Sequence, residues 1–241
     1  MLKVKDLRAY YNKSQIIQGV SFEVSKGETI GILGRNGMGK STLVRSILGL
    51  TPPRTTGSVT FDDVDISSMK AHRIAGLGVS YVPQGRHIFP RLTVLENLSV
   101  PVTKGKVSKE SLDEVFGYFP VLKERLKQLG GTLSGGQQQM LAIGRAVMSK
   151  PKLIVFDEPT EGLQPSIVQQ VRQTIKVFRD RGITALIADQ NLENALELCD
   201  RAYVLEKGTI KYTEQRENLS LKLLRAYLGV VKRQEDGGGR Q

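Results

Sequence analysis

The stretch "GETIGILGRNGMGKSTLVRSI" (27–47) runs from an apolar segment of strand length, through a glycine-rich turn, into a helix-compatible segment. The turn and the first residues after it, Gly34, Arg35, Asn36, Gly37, Met38, Gly39, Lys40, Ser41 and Thr42, have the spacing of a phosphate-binding loop: glycine, four residues, glycine, lysine, serine. Glycines let successive backbone N–H groups turn inward as an anion-binding nest. A helix starting near Lys40 adds its positive N-terminal end. Lys40 is placed to reach the β- and γ-phosphates of a nucleotide, and the Ser41 hydroxyl to ligate Mg²⁺. The rival reading, a chance glycine-rich turn beside a lysine, leaves the flanking strand and helix unexplained.

Working outward, "KLIVFD" (152–157) and "ITALIAD" (183–189) are further apolar runs of strand length. Near-continuous apolarity suits strands covered on both faces, and their alternation with helical segments predicts an α/β domain with a mainly parallel core sheet. "SVTFDDVDI" (58–66) and "AYVLEKGTIKY" (202–212) read as hairpins turning at Asp62-Asp63 and Lys207-Gly208, which adds an antiparallel β-rich edge. Between about 86 and 150 the chain turns helical, and "TVLE" (93–96) matches a capping box in which Thr93 caps and Glu96 reaches back. The expected body is one domain over 1–230 with an inserted helical lobe, followed by a flexible polar tail at 231–241.

Composition narrows the class. Apolar residues make up 39% and charged residues 24% of 241, ordinary for a soluble globular protein. No apolar run approaches the roughly 18–20 residues of a membrane span. The opening "MLKVKDLRAYY" lacks the apolar core of a secretion signal. The one cysteine, Cys199, has no partner for an internal disulfide, which fits a reducing compartment. Net charge is +11, but the basic residues are scattered and aromatics reach only 6%, so solvated faces fit better than a nucleic-acid stripe. A basic protein resting against an anionic inner leaflet fits as well.

Two more motifs carry chemistry. "KLIVFDEP" ends an apolar strand in Asp157-Glu158, and a carboxylate at the C-terminal end of such a strand faces the ligand crevice of an open α/β sheet. Asp157 is placed for the Mg²⁺ shell and Glu158 to polarise an attacking water as general base; the alternative is a surface turn. "TLSGGQQQMLAIGRAV" (132–147) opens an amphipathic helix with Ser134-Gly135-Gly136-Gln137, which alone is a plain capping box.

Set between the phosphate loop and the acidic strand end, that stretch resembles the signature of the ATP-binding-cassette (ABC) family, and the resemblance spans nearly all the chain. It implies a P-loop ABC ATPase fold that uses ATP with Mg²⁺. It also implies that Ser134, Gly135, Gly136 and Gln137 address the γ-phosphate bound by a second ATPase subunit, identical or a paralogue, in a head-to-tail dimer. By the same resemblance, Gln84 in "YVPQGR" touches Mg²⁺ or water and joins the core to the helical lobe. Tyr11 stacks on adenine, with Tyr10 as its rival. The family commonly has a histidine where this chain has Gln190 and an aspartate where it has Gln164. Gln190 can hydrogen-bond a γ-phosphate but cannot become a cation.

Finer resemblance, in "GRNGMGKST", "VPQGRHIFPRLTVLENL", "DEPTEGLQPSIV", "DQN" and "AYLGV", is to the ATPases of branched-chain amino-acid importers, with urea and short-amide importer ATPases closely similar. This implies an ATPase at the cytoplasmic face of the membrane. It would work with integral permease subunits and, indirectly, with a periplasmic or extracellular solute-binding protein. DNA-linked ABC ATPases are a different class that carries a long coiled coil between phosphate loop and signature; residues 43–133 here hold no sustained heptads. The resemblance further implies a groove beside Phe89 that receives a permease helix. The apolar residues Ile88, Phe89, Pro90, Leu92, Val94 and Leu95 form either that contact surface or the lobe's own core.

Overall fold

The computed structural model describes residues 1–102 and 107–228. The chain opens with β1 (Leu2–Tyr11), β2 (Ser14–Val24) and β3 (Thr29–Leu33), then helix α1 (Lys40–Ile47). Next come β4 (Arg54–Phe61), β5 (Val64–Asp65), α2 (Ala71–Gly76) and β6 (Val79–Val82). Helices α3 (Val94–Ser99), α4 (Lys109–Tyr118), α5 (Pro120–Glu124) and α6 (Gly135–Met148) come after β6 without a strand between them. The chain returns through β7 (Leu153–Asp157), α7 (Pro165–Asp180), β8 (Thr184–Asp189), α8 (Leu192–Leu198), β9 (Arg201–Glu206), β10 (Thr209–Gln215) and α9 (Leu221–Tyr227). The polar tail expected at 231–241 lies outside the described residues.

Two sheets stack. One has the order β10-β9-β3-β8-β7-β6, parallel except for the β9–β10 hairpin. The other is antiparallel, β2-β1-β4-β5. The apolar runs are buried on both faces because alternate side chains enter different cores. Ile30, Ile32, Val155 and Leu186 pack with α1 and with Val4, Ile17 and Phe61 of the antiparallel sheet. Leu33, Ile154, Phe156 and Ile187 pack with α6, α7 and the helical lobe. That double burial is why these strands read as continuous rather than alternating.

Local signals set the helices. Thr93 and Ser134 each make a full capping box, at the starts of α3 and α6. Pro165 begins α7, whose buried residues Val171, Thr174, Ile175 and Phe178 fall on one helical face. Both hairpins turn where expected, with Asp62, Asp63 and Lys207 at positive φ.

The parallel strands bring Leu33, Asp157 and Asp189 to one edge of the sheet. Loop bonds hold that edge together: Gly34 N–H donates to the Asp189 carbonyl at 3.3 Å, and Glu158 N–H to that of Ala188 at 2.8 Å. Site chemistry collects there.

Candidate active site

Between the end of β3 and the start of α1 the loop Gly34–Gly39 turns under a pocket of about 450 Å³. Two glycines are structurally required. Gly39 has φ 104, a conformation L side chains rarely adopt, and a Cβ on Gly34 would lie 2.7 Å from the Leu205 carbonyl oxygen. The pocket is lined by Asn36, Gly37, Gly39, Lys40, Ser41 and Thr42 from the loop and α1, with Tyr11, Ile16, Gln84 and Glu158 around them. Tyr10, the rival to Tyr11, does not line it; the Arg54 guanidinium lies over its ring at 5.4 Å.

Lys40 is buried at 4% exposure, and its ammonium has three partners. It donates to the carbonyls of Gly34 at 2.9 Å and Arg35 at 3.3 Å, and pairs with Glu158 Oε1 at 3.0 Å. One step along, the Ser41 hydroxyl donates to Asp157 Oδ1 at 3.0 Å and Tyr81 OH to Asp157 Oδ2 at 3.3 Å. Asp157 and Glu158 are adjacent, yet each meets a different group of the loop.

Both carboxyls sit in low-dielectric surroundings. Burial pushes the Asp157 carboxyl above its ordinary value, opposed by the hydrogen bonds from Ser41 and Tyr81 and by the Lys40 charge. Burial raises Glu158 as well, opposed by Lys40, while Glu161 and Asp189 add to the rise. Glu158 adopts φ 48, unusual for a side chain of its size, and its Oε2 is buried without a partner.

Among the described residues, no cluster of three or more His, Cys, Asp or Glu side chains is arranged to hold a metal. The oxygen set at Ser41 and Asp157 is nevertheless of the hard type that Mg²⁺ takes together with nucleotide phosphate and water, so these residues fit that ion. Gln84, the third expected ligand, lines the pocket but donates to Glu161 Oε2 at 2.6 Å.

The remaining expected residues lie elsewhere. Ser134 Oγ accepts from Gln137 N–H at 3.3 Å and Gln137 Oε1 from Ser134 N–H at 3.0 Å, a closed local circuit. None of Ser134, Gly135, Gly136 and Gln137 lines the pocket of its own chain. Gln190 is exposed just past the end of β8 and does not line the pocket either.

Three residues to which the motifs assign no role, Asp189, Tyr81 and Glu161, are part of the site's surroundings. Asp189 is 3% exposed and its carboxyl is raised by burial, against hydrogen bonds from Asn191 N–H and Asn194. Asn194 Nδ2 also donates to Thr160 Oγ1 at 2.8 Å, tying β8 to the turn after Glu158. A signal for Asp189 exists, since "ITALIAD" ends in a carboxylate as "KLIVFD" does. Tyr81 and Glu161 carry no comparable pattern.

Comparison with known proteins agrees with this geometry. A sequence-family model for ABC transporters matches residues 17–161. The chain is 43% identical to the high-affinity branched-chain amino acid transport ATP-binding protein BraG of Pseudomonas aeruginosa, across 95% of this chain and all of that protein. It is 36% identical to the lipopolysaccharide export system ATP-binding protein LptB of Escherichia coli K12, across 86% of this chain and 87% of that one. Among solved structures, a dimeric post-hydrolysis state of the ATP-binding cassette MJ0796 bound to ADP and Pi superposes with TM-score 0.80 at 25% identity. It covers 91% of this chain and 100% of that one.

Proposed function

The chain belongs to the ABC transporter family, and from that premise we propose that it hydrolyses ATP to drive import of branched-chain amino acids through a membrane permease. Nucleotide binding and ATPase activity accord with the family and with the pocket. The observation that carries the chemistry is the meeting of Lys40, Ser41, Asp157 and Glu158 beneath one glycine loop. In this reading the loop and Lys40 hold the phosphates. Ser41 and Asp157, with Gln84, hold Mg²⁺, which when bound neutralises charge on the phosphate oxygens. Glu158 accepts the proton of the attacking water.

The solute assignment rests on the similarity to BraG. The pocket is completed by Ser134–Gln137 of a second subunit, a reading supported by their absence from the pocket of their own chain and by the dimeric state of the cassette of like fold. Among the described residues no helix is long and apolar enough to cross a membrane. In this reading the chain is held at the cytoplasmic face through the permease. The docking place is a groove of about 710 Å³ beside Phe89. The apolar segment around Phe89 divides between the two roles open to it. Val94 fills the lobe's core at 0% exposure, whereas Phe89 is 45% and Leu95 38% exposed.

The test is uptake of labelled leucine into vesicles holding the subunit with its permease, with ATPase followed in parallel. Leucine uptake that stops with ATP depletion is expected. Uptake of urea without leucine would overturn the solute, and ATP use that never depends on Glu158 would overturn the site.

A further inference from the structure

Gln84 lies in the loop after β6, at the rim of the phosphate pocket, and its amide has two chemically different ends. The nitrogen only donates; the oxygen, Oε1, accepts a hydrogen bond or ligates a cation. Mg²⁺ takes oxygen ligands, so the end that faces the pocket decides whether Gln84 can serve that ion. The two ends have nearly the same shape, and packing does not choose between them. A hydrogen-bond partner does.

That partner is Glu161. Gln84 Nε2 donates to Glu161 Oε2 at 2.6 Å. A carboxylate accepts and has no N–H to offer, so it takes the nitrogen end of the amide and repels the oxygen end. Among the described residues Gln84 Oε1 accepts no hydrogen bond, and of the two side chains only Gln84 lines the pocket. Glu161 thereby leaves the oxygen as the end available to the pocket.

Both backbones are held. Glu161 N–H donates to the Glu158 carbonyl at 3.2 Å, which closes the turn, and Glu158 N–H donates to the Ala188 carbonyl at 2.8 Å. Asn194, 1% exposed, donates to Thr160 Oγ1 in the same turn. The segment 157–161 therefore carries Asp157 at one end and the carboxylate that meets Gln84 at the other. On the opposite side, Gly85, Arg86 and His87 have φ 79, 70 and 46, and Arg145 Nη2 holds the His87 carbonyl at 2.8 Å. With the loop fixed, rotation of the amide is the freedom that remains, and Glu161 removes it.

We propose that Glu161 is a positioning residue: by accepting from Gln84 Nε2 it turns Oε1 toward the Mg²⁺ site at Ser41 and Asp157. It rests on the reading of Gln84 as a ligand of that ion. Carboxylates behind a metal-bound side chain commonly act in this way, fixing its orientation and raising the basicity of the ligating atom. The contrary role, a latch that keeps Gln84 off the ion, predicts the opposite sign when Glu161 is removed.

The test is a double-mutant cycle read by binding rather than turnover. Affinity for a non-hydrolysable ATP analogue is measured with Mg²⁺ and with EDTA for the parent, Glu161→Ala, Gln84→Ala and the double variant. Both residues are exposed, so melting curves should stay at the parental value. Glu161→Ala should cut the gain in affinity from Mg²⁺ by about tenfold, the scale on which such an outer partner matters to a metal site, with the EDTA value unchanged. The double variant should be no weaker than Gln84→Ala, because without the amide there is nothing to orient. Glu161→Gln, whose amide can donate to Oε1 as well as accept from Nε2, should fall between parent and Glu161→Ala. With Mn²⁺ in place of Mg²⁺, the electron paramagnetic resonance spectrum of Glu161→Ala should move toward that of Gln84→Ala. An unchanged or larger Mg²⁺ gain in Glu161→Ala would overturn the proposal. So would an equal loss from Glu161→Ala in the Gln84→Ala background, because the carboxylate would then act through its charge alone. If Gln84→Ala keeps the full Mg²⁺ gain, the reading of Gln84 as a ligand fails and takes the proposal with it. If Gln84→Ala loses that gain while Glu161→Ala does not, only the present proposal fails.

Discussion

The phosphate pocket and the groove beside Phe89 differ in how their cations are satisfied, although each holds one buried atom without a partner, Glu158 Oε2 in the pocket and Arg145 Nη1 in the groove. In the pocket, Lys40 has three acceptors and Asp157 two donors, all from the same chain. In the groove, Arg145 keeps a buried arm unpaired and no carboxylate lines the wall. Lys40 is satisfied within the chain, so nucleotide must compete with internal partners for it. The groove keeps a buried donor that its own chain does not match. A site that binds and releases with each turnover gains from an internal substitute for its ligand, since an empty buried lysine would be costly.

The largest expected effect breaks the closed side of that comparison. Glu158→Gln removes the proton acceptor and lowers turnover by roughly 10²–10⁴-fold. It also frees Lys40 from its ion pair, so a non-hydrolysable ATP analogue should bind more tightly to this variant than to the parent. Steady-state ATPase and analogue titration measure the two parts; parental turnover in the variant would remove Glu158 from its role.

Next is the reverse cut. Lys40→Met leaves Glu158 buried beside no cation, which should cost about 3–5 kcal/mol of stability and weaken ATP binding. Most of that stability returns in the double variant with Glu158→Gln, because a neutral amide needs no counter-charge. Denaturant midpoints of the three proteins decide it, and equal losses in single and double variants would show that the pair is not a unit.

A smaller effect probes the open side. Phe89→Ala should lower solute uptake about tenfold, the scale of one lost interface anchor, while ATPase of the isolated subunit persists because Phe89 does not line the nucleotide pocket. Uptake and ATPase in parallel test the separation.

The smallest effect is a displacement on the pH axis. Burial raises Glu158, and a protonated glutamate cannot accept the water's proton, so activity falls as pH drops through that raised value. The acidic limb of kcat/KM, which reports the free enzyme, should therefore lie above 4.5, the ordinary glutamate value. A limb at or below that value would mean that Lys40 outweighs burial.

Much of the fold is legible in the sequence because its signals are local. Gly34 to Thr42 between strand and helix, the capping boxes at Thr93 and Ser134, and the hairpin turns at 62–63 and 207–208 all appear where their residues call for them. Asp189 escapes such a reading although it ends its strand as Asp157 does and opens "DQN", because no spacing ties its carboxyl to the phosphate loop. Tyr81 is beyond reach: nothing in "VSYV" tells that its hydroxyl meets Asp157. The segment around Phe89 reads as uniformly apolar, and only packing separates buried Val94 from exposed Phe89.

What the sequence by itself determined is the identity of the groups proposed to touch nucleotide and the elements that carry them, since glycine spacing, caps and apolar period are set by neighbours along the chain. What only the tertiary structure decided is which of these groups meet. Lys40 faces Glu158 and Ser41 faces Asp157 because β3, β8 and β7 lie side by side in a sheet ordered β10-β9-β3-β8-β7-β6, which is not their order in the chain. Arg145 reaches the His87 carbonyl and leaves Nη1 unpaired because α6 packs beside β6 and the loop after it. The physical reason is one of range: dihedral preferences and side-chain periods act over a few residues, whereas strand order and the pairing of buried charges depend on how whole faces are excluded from water.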